Sequence, residues 1–255
     1  MAQLVDRIVA NIVRLQVRLL ACQARLQAHT DPEALHDLRT TVRRLRSLLR
    51  PLRGLPGVVQ LEMAASQVGA LTTPLRDLEV LAAHLQQHGH AALAESRLEQ
   101  LSGSYAAVAD SAQLAQLLMI LDVFPRFVRA AEREGLLRGL RQRIERVRAK
   151  QWKTLETDLN DPGHDRHRVR LLIKRVRYGA EAYPELDRLP ALVAARLNAA
   201  QKALGDWHDA WQWLLQAEQQ TDLQPCVAQW RETLARGEKQ ADRALIKLSA
   251  ACFRS

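Results

Sequence analysis

Aromatic residues make up only 4% of this 255-residue chain, and its cysteines number three. Few rings mean few platforms on which nucleobases could stack. Trp207, Trp211, Trp213 and Trp230 form the only cluster of them, and the first three share a helical stretch where core packing is the ordinary role. Cys22, Cys226 and Cys252 make no Cys-x-x-Cys and no Cys/His pair, so no zinc-finger spacing exists. An odd, scattered count fits a reduced cytoplasm and free thiols packed as small apolar groups. No uninterrupted apolar run reaches the ~18 residues of a membrane span. Val, Ile and Thr never alternate over a strand length, which argues against a sheet. No Ser/Gly/Pro-rich linker separates independent domains. Acids are also short, 28 against 37 Lys plus Arg, leaving a net charge of +9. Surplus cation on a fold is repulsive until something neutralises it, so the partner is anionic. The apolar fraction, 47%, is ordinary for a globular protein and excludes a disordered chain. The opening stretch, Met1 to Leu20, sets Asp6, Arg7, Asn11, Arg14, Gln16 and Arg18 at helical spacing. It therefore reads as an amphipathic helix rather than a signal peptide, and Asp6 counts against a mitochondrial presequence.

What the sequence has in abundance is Leu, Ala, Arg and Gln, with apolar residues returning every three to four positions. That pattern predicts an all-α fold, with helices over 3–28, 32–53, 58–88, 91–108, 112–134, 136–159, 165–183, 190–220 and 225–253. Asp31-Pro32 and Asp161-Pro162 read as caps or turns, Gly54-Leu55-Pro56-Gly57 as a tight connection, and Tyr183-Pro184 as a stop. The chain also repeats itself. His36-Asp37-Leu38-Arg39-Thr40-Thr41-Val42-Arg43-Arg44-Leu45-Arg46 aligns with His167-Arg168-Val169-Arg170-Leu171-Leu172-Ile173-Lys174-Arg175-Val176-Arg177, 131 residues on (167 − 36). Leu75-Arg76-Asp77 aligns with Trp207-His208-Asp209 at an offset of 132 (209 − 77). Two matches at nearly one offset point to a duplicated half, 1–131 and 132–255, related by a pseudo-twofold axis within a single domain.

On a wheel at 100° per residue with His36 at zero, Arg39, Arg43, Arg46 and Arg50 fall at about 280–340°. Leu35, Leu38, Val42, Leu45, Leu48 and Leu49 fall at about 120–260°. One helix thus carries an apolar side for the core and a cationic ridge beside it. Arg170, Lys174 and Arg177 repeat the ridge, while Arg44 and Arg175, near 80°, read as solvent-facing charges. Solvated helix faces usually alternate sign, because like charges at i,i+4 cost roughly 0.2–0.5 kcal/mol a pair. The first ridge has no acid three or four residues away along it. A twice-selected ridge of this kind is suited to an extended polyanion, since the guanidinium fork grips phosphate oxygens in pairs. His36 and His167 open the two motifs and read as further donors, stronger when protonated. Asp77 and Asp209 cannot bind an anion, and read as residues that hold a ridge arginine or histidine in place.

The doubled His-x-x-Arg-x-x-x-(Arg/Lys)-Arg-x-Arg helix, with Leu75-Arg76-Asp77-Leu78 and Leu204-Gly205-Asp206-Trp207-His208-Asp209, resembles the CHAD domain, the conserved histidine α-helical domain, over essentially the whole chain. The resemblance implies two helical-bundle halves facing each other across a basic groove that binds inorganic polyphosphate, in the cytoplasm of a bacterium or archaeon and on polyphosphate granules. Carried over by position, His36, Arg39, Arg43, Arg46 and Arg50 would line one wall. His167, Arg170, Lys174, Arg177 and Tyr178 would line the other, with Arg76 and Lys202 contributing from adjoining helices. It implies no catalysis, no cofactor and no metal.

Two rival readings exist. His36-Asp37 and His208-Asp209 superficially resemble the dipeptides of metal-dependent HD phosphohydrolases, which activate water on bound metals. They occupy non-equivalent places in the repeat, as chance adjacency would produce, and the Glu-x-Glu-x-Lys signature of triphosphate-tunnel polyphosphatases is missing. The other rival is non-specific nucleic-acid binding, for which the net charge suffices but no helix-turn-helix or zinc-finger pattern exists.

Overall fold

A computed structural model describes residues 2–29, 31–186 and 188–253. Their helices are α1 (Ala2–Ala28), α2 (Ala34–Leu49), α3 (Val58–Gln87), α4 (Ala91–Gln100) and α5 (Ser104–Ala109), then α6 (Ala112–Arg133), α7 (Leu140–Asn160), α8 (Arg166–Ala182), α9 (Ala191–Gln219) and α10 (Val227–Phe253). Short 3-10 turns cover Arg50–Leu52 and Thr221–Cys226. No strand occurs among the described residues, only an isolated bridge between Arg53 and Leu55. The fold is all-α.

Glycine and proline account for most departures from the expected boundaries. The single helix expected over 91–108 is two, because Gly103 takes a left-handed φ of 76° and starts α5 afresh. The helix expected from 136 begins at Leu140, after Gly139 at φ 71°. α2 stops at Leu49, two residues short of Pro51, whose missing N–H cannot continue the ladder. Arg50 consequently lies in a 3-10 turn rather than in α2. Asp161-Pro162 makes a turn, with Asp161 accepting from the Gly163 N–H at 2.8 Å, and Asp31 accepts from the backbone N–H of Ala34 at the start of α2. Glu33 precedes α2 without a side-chain cap, and Asp31 also accepts from the Glu33 N–H. The cap of α8 is Asp165, which accepts from the backbone N–H of His167 at 2.8 Å.

The chain divides into two units, Met1–Ile144 and Glu145–Ser255. In the first, α1 packs on α2 and α6, and α3 packs on α2, α4 and α6. Leu35, Leu38, Val42, Leu45, Leu48 and Leu49 of α2 are all buried there, as the wheel predicts. A stretch within Ala91–Arg133 is apolar enough by window average, at a mean hydropathy of 1.4, to match a membrane-crossing helix, although no uninterrupted run is. In this unit α6 turns Leu114, Leu117, Leu121 and Phe124 into the core and leaves Met119 and Val123 exposed. Cys22 is buried here, and burial raises its thiol above the ordinary value.

In the second unit α9 packs on α8 and α10. Val169, Leu172, Ile173 and Val176 of α8 join Leu155, Leu204 and Leu245 in one apolar cluster. Two glycines permit close approach. A β-carbon on Gly237 would lie 3.2 Å from the Trp207 Cα, so α10 meets α9 there backbone to backbone. Gly179 of α8 gives its space to Arg148 of α7, an arginine only 3% exposed that donates to Gln151 Oε1 at 2.9 Å. Burial pulls the Arg148 guanidinium down to about 10, against a smaller opposing effect of Tyr183.

Candidate functional site

The four arginines of the first ridge are half-buried and run along one side of α2 into the turn after it, with His36 exposed at the helix start. From Arg39 to Arg50 the rise is roughly 16 Å, at 1.5 Å per residue. What lies opposite them comes from α3. Arg39 donates through Nη1 to the hydroxyls of Thr72 and Thr73, both at 3.0 Å, and to the Gly69 carbonyl at 3.3 Å. Those hydroxyls are themselves anchored, Thr72 donating to Val68 O and Thr73 to Gly69 O, each at 2.8 Å. Gly69 also leaves room for Arg46, whose Nη1 would be 3.8 Å from a β-carbon at that position. Among the described residues no carboxylate lies within 4 Å of Arg39 or Arg46. Burial holds the Arg39 guanidinium below its usual value; Asp77 opposes that effect, Arg43 and Arg76 add to it, and Glu79 opposes it.

Acids nevertheless reach this face, from the neighbouring helix. Glu62 of α3 is held below the usual carboxylate range chiefly by Arg53, with Arg50 and Arg46 contributing. Arg76 is tied to Glu79 at 2.8 Å, and Glu79, 9% exposed, also accepts from the Tyr105 hydroxyl at 2.8 Å. Asp77 is exposed and close enough to Arg39 to act on it electrostatically. Asp37 has a structural partner: Arg25 of α1 clamps Asp31 with two nitrogens and reaches Asp37 at 2.7 Å with the third.

On α8 the side chains of His167, Arg170, Lys174 and Arg177 are likewise half-buried. This row is not free of acid, which corrects the expectation of a second bare ridge. Arg177 donates to Glu181 at 2.9 Å, one turn on, and to Gln201 Oε1 at 2.8 Å. Tyr178 is 6% exposed, with the Arg177 guanidinium 4.4 Å over its ring, so it supports that arginine from beneath. Lys202 is exposed and paired with Asp206 at 2.7 Å. Arg175 is exposed as the wheel predicts, whereas Arg44 at the same angle is half-buried with its Nε out of solvent. That angle adjoins the apolar sector, and a long arginine stem covers apolar surface.

The histidines differ between the units. His36 stands exposed, whereas the ring of His167 stacks on that of His208 of α9, with centroids 5.2 Å apart and planes 29° from parallel. Both Nδ1 atoms are buried and make no hydrogen bond among the described residues. Burial pushes His167 below its ordinary 6.5; His208, Arg170 and Lys174 push the same way, against Asp165. Asp209 lies 3.7 Å from the His208 Nδ1, so it acts on the stacked partner rather than on a ridge residue. Among the described residues no three His, Cys, Asp or Glu side chains are grouped to hold a metal.

Sequence reasoning passed over the residues that orient these cations: Gly69, Thr72, Thr73, Gln201 and Glu181. One sign was available. Thr72-Thr73-Pro74 interrupts an Ala/Leu-rich stretch one turn before the Leu75-Arg76-Asp77 motif.

The family model of the CHAD domain matches residues 11–218. A crystal structure of the CHAD domain from the plant Ricinus communis superimposes with a TM-score of 0.74, covering 98% of this chain and 92% of that one at 21% identity. Likeness at that identity is a likeness of fold. No protein of curated function matches the chain.

Proposed function

Because the chain belongs to the CHAD domain family, we propose that it binds inorganic polyphosphate through the cationic faces of α2 and α8, catalyses nothing on it, and is carried by that binding to polyphosphate granules in the cytoplasm. The observation that supports this most is the neutral anchoring of Arg39. Two hydroxyls and a carbonyl fix its guanidinium without cancelling its charge, and its other nitrogens make no hydrogen bond among the described residues. A preset cation of this kind loses little side-chain entropy when a phosphate oxygen arrives, and charge-assisted bonds are about twice as strong as neutral ones. His36-Asp37 gives a metal-hydrolase reading little support, since Arg25 already occupies the Asp37 carboxylate.

Binding of this type releases counterions. With about six phosphate charges neutralised, doubling the salt from about 100 to 200 mM lowers affinity by roughly 10- to 20-fold, at a slope of −0.7 per charge for a single strand. Fluorescence anisotropy of a labelled long polyphosphate measures this, with duplex DNA and RNA as competitors at the same ionic strength. Polyphosphate outcompetes both if the reading is right. Tighter binding of nucleic acid would favour that rival, and release of orthophosphate on adding a divalent metal would revive the hydrolase.

The pH dependence has a definite sign. His167 is harder to protonate in the fold than in the unfolded chain, whose value is 6.5. Proton uptake therefore favours unfolding, and the free protein loses stability as pH falls from 6.5 toward the folded value. A bound polyanion favours the imidazolium, so polyphosphate affinity rises over the same interval. Melting temperatures and affinities at about pH 7.5 and 5.5 check both halves. His167→Gln flattens the binding profile, and a profile unchanged by that substitution would make the histidine purely structural.

A further inference from the structure

Aromatic rings are scarce in this chain, yet several meet at one place in the second unit. Along α9, Trp213 turns inward and pairs with Trp230, their centroids 5.7 Å apart and both rings buried. Trp207 and Trp211, one turn apart, form a different group: their rings are 7° from parallel with centroids at 6.4 Å. His208 meets both edge-on, at 6.3 Å from Trp207 and 5.9 Å from Trp211, and stacks on His167. Trp207 is braced over Gly237, but Trp211 remains 38% exposed. The cations of α8 begin at the same histidine, since Arg170 and Lys174 both act on the charge of His167. An aromatic surface and a cationic row thus share the His167–His208 stack.

Inorganic polyphosphate offers nothing for a tryptophan to recognise. Nor does the fold demand rings here. By the 132-residue offset of the repeat, Trp207, His208 and Trp211 correspond to Leu75, Arg76 and Glu79 in the first unit, and Glu79 is occupied there by Arg76 and Tyr105. A partly exposed indole linked through a histidine stack to a row of guanidinium and ammonium groups is instead complementary to a molecule with one flat face and one polyanionic end.

We propose that the second unit binds nucleoside polyphosphates, with the base stacked on the exposed part of Trp211 beside His208 and the phosphate chain on Arg170 and Lys174. The phosphate half of this site rests on the polyphosphate reading above, whereas the base half stands on the aromatic group alone. Trp211 is the specificity-determining residue, because it meets the part of the ligand that inorganic chains lack. The first unit, with Leu75 and Glu79 in the corresponding places, does not distinguish the two ligands.

The experiment titrates the full chain with ATP, adenosine and inorganic tripolyphosphate in metal-free buffer, following tryptophan fluorescence and heat. ATP binds about tenfold tighter than tripolyphosphate despite its lower charge, and quenches fluorescence where tripolyphosphate does not. Trp211→Leu removes that advantage and leaves tripolyphosphate affinity unchanged, Trp211→Phe restores most of it, and Lys174→Ala weakens both ligands. ATP binding no tighter than tripolyphosphate, or an advantage that survives Trp211→Leu, overturns the proposal and leaves polyphosphate binding standing. Trp211-dependent ATP binding with no binding of inorganic chains of any length keeps the base site and overturns the polyphosphate reading instead.

Discussion

Changing Arg43 and Lys174 together to alanine lowers polyphosphate affinity by roughly 10³-fold at low salt, because each charge-assisted contact is worth about 1.5–3 kcal/mol. Each residue sits in the middle of its row, Arg43 between Arg39 and Arg46 and Lys174 between Arg170 and Arg177. The apolar sides of α2 and α8 are built from Leu38, Val42 and Leu45 and from Val169, Ile173 and Val176, none of which these substitutions touch. Each single change costs about 30-fold, the equivalent of about 2 kcal/mol for one charge-assisted contact. The control is Arg175→Ala, expected to matter by less than about threefold, as one exposed charge among many contributes little. Arg44 would be a poor control despite its identical wheel angle, since its Nε is out of solvent and its loss disturbs packing. Anisotropy titrations settle the comparison, with circular dichroism to show that the fold is intact. An Arg175→Ala loss as large as that of the pair would mean that the protein attracts polyanions by net charge alone, without a defined face.

Gly179→Ala destabilises the second unit by about 3 kcal/mol, against the ordinary direction of such a change. In an open helical position Gly→Ala gains about 1 kcal/mol, from lower backbone entropy in the unfolded chain. Here the added carbon would stand 1.8 Å from Arg148 Nη1 and 2.8 Å from its Cζ, with Gln151 Oε1 at 3.3 Å. The far end of an arginine yields easily at a surface, but this one is 3% exposed, and moving it breaks its bond to Gln151. Displacing a buried charge costs more than the helix gains. Urea unfolding of the single variant gives the loss, and the Arg148→Met background isolates its cause. With the guanidinium gone, Gly179→Ala becomes neutral or stabilising by up to about 1 kcal/mol. A stabilising Gly179→Ala in the native background would show that Arg148 rearranges freely.

Both outcomes turn on what faces a residue across a helix interface, and that is where the chain's legibility changes. The 3.6-residue recurrence of Leu and Val in 34–49 determined by itself that α2 has a buried side and that Arg39, Arg43 and Arg46 stand beside it. The same period placed Val169, Leu172, Ile173 and Val176 inward on α8. The two copies of the His/Arg motif carried the family. Helical periodicity is a local property, set by the backbone's own geometry, so a single segment displays it without reference to the rest of the molecule.

The partners of those charges are not local. Thr72 and Thr73 reach Arg39 across some thirty residues of chain, Gln201 reaches Arg177 across 24, and Glu62 comes from α3 to the Arg46 end of the row. Spacing at i±3 and i±4 reports acids on the same helix only, and so the first ridge looked free of acid when α3 in fact brings some close. Arg177 was the reverse case: Glu181 stands one turn on, in plain view of the spacing rule. Only tertiary packing decided that Tyr178 lies under Arg177, that Arg44 and Arg175 part company, and that His167 meets His208 while His36 faces solvent. A wheel angle states the direction a side chain leaves its own axis. Whether water, a hydroxyl, a carboxylate or another ring waits there depends on which helix the rest of the chain lays alongside.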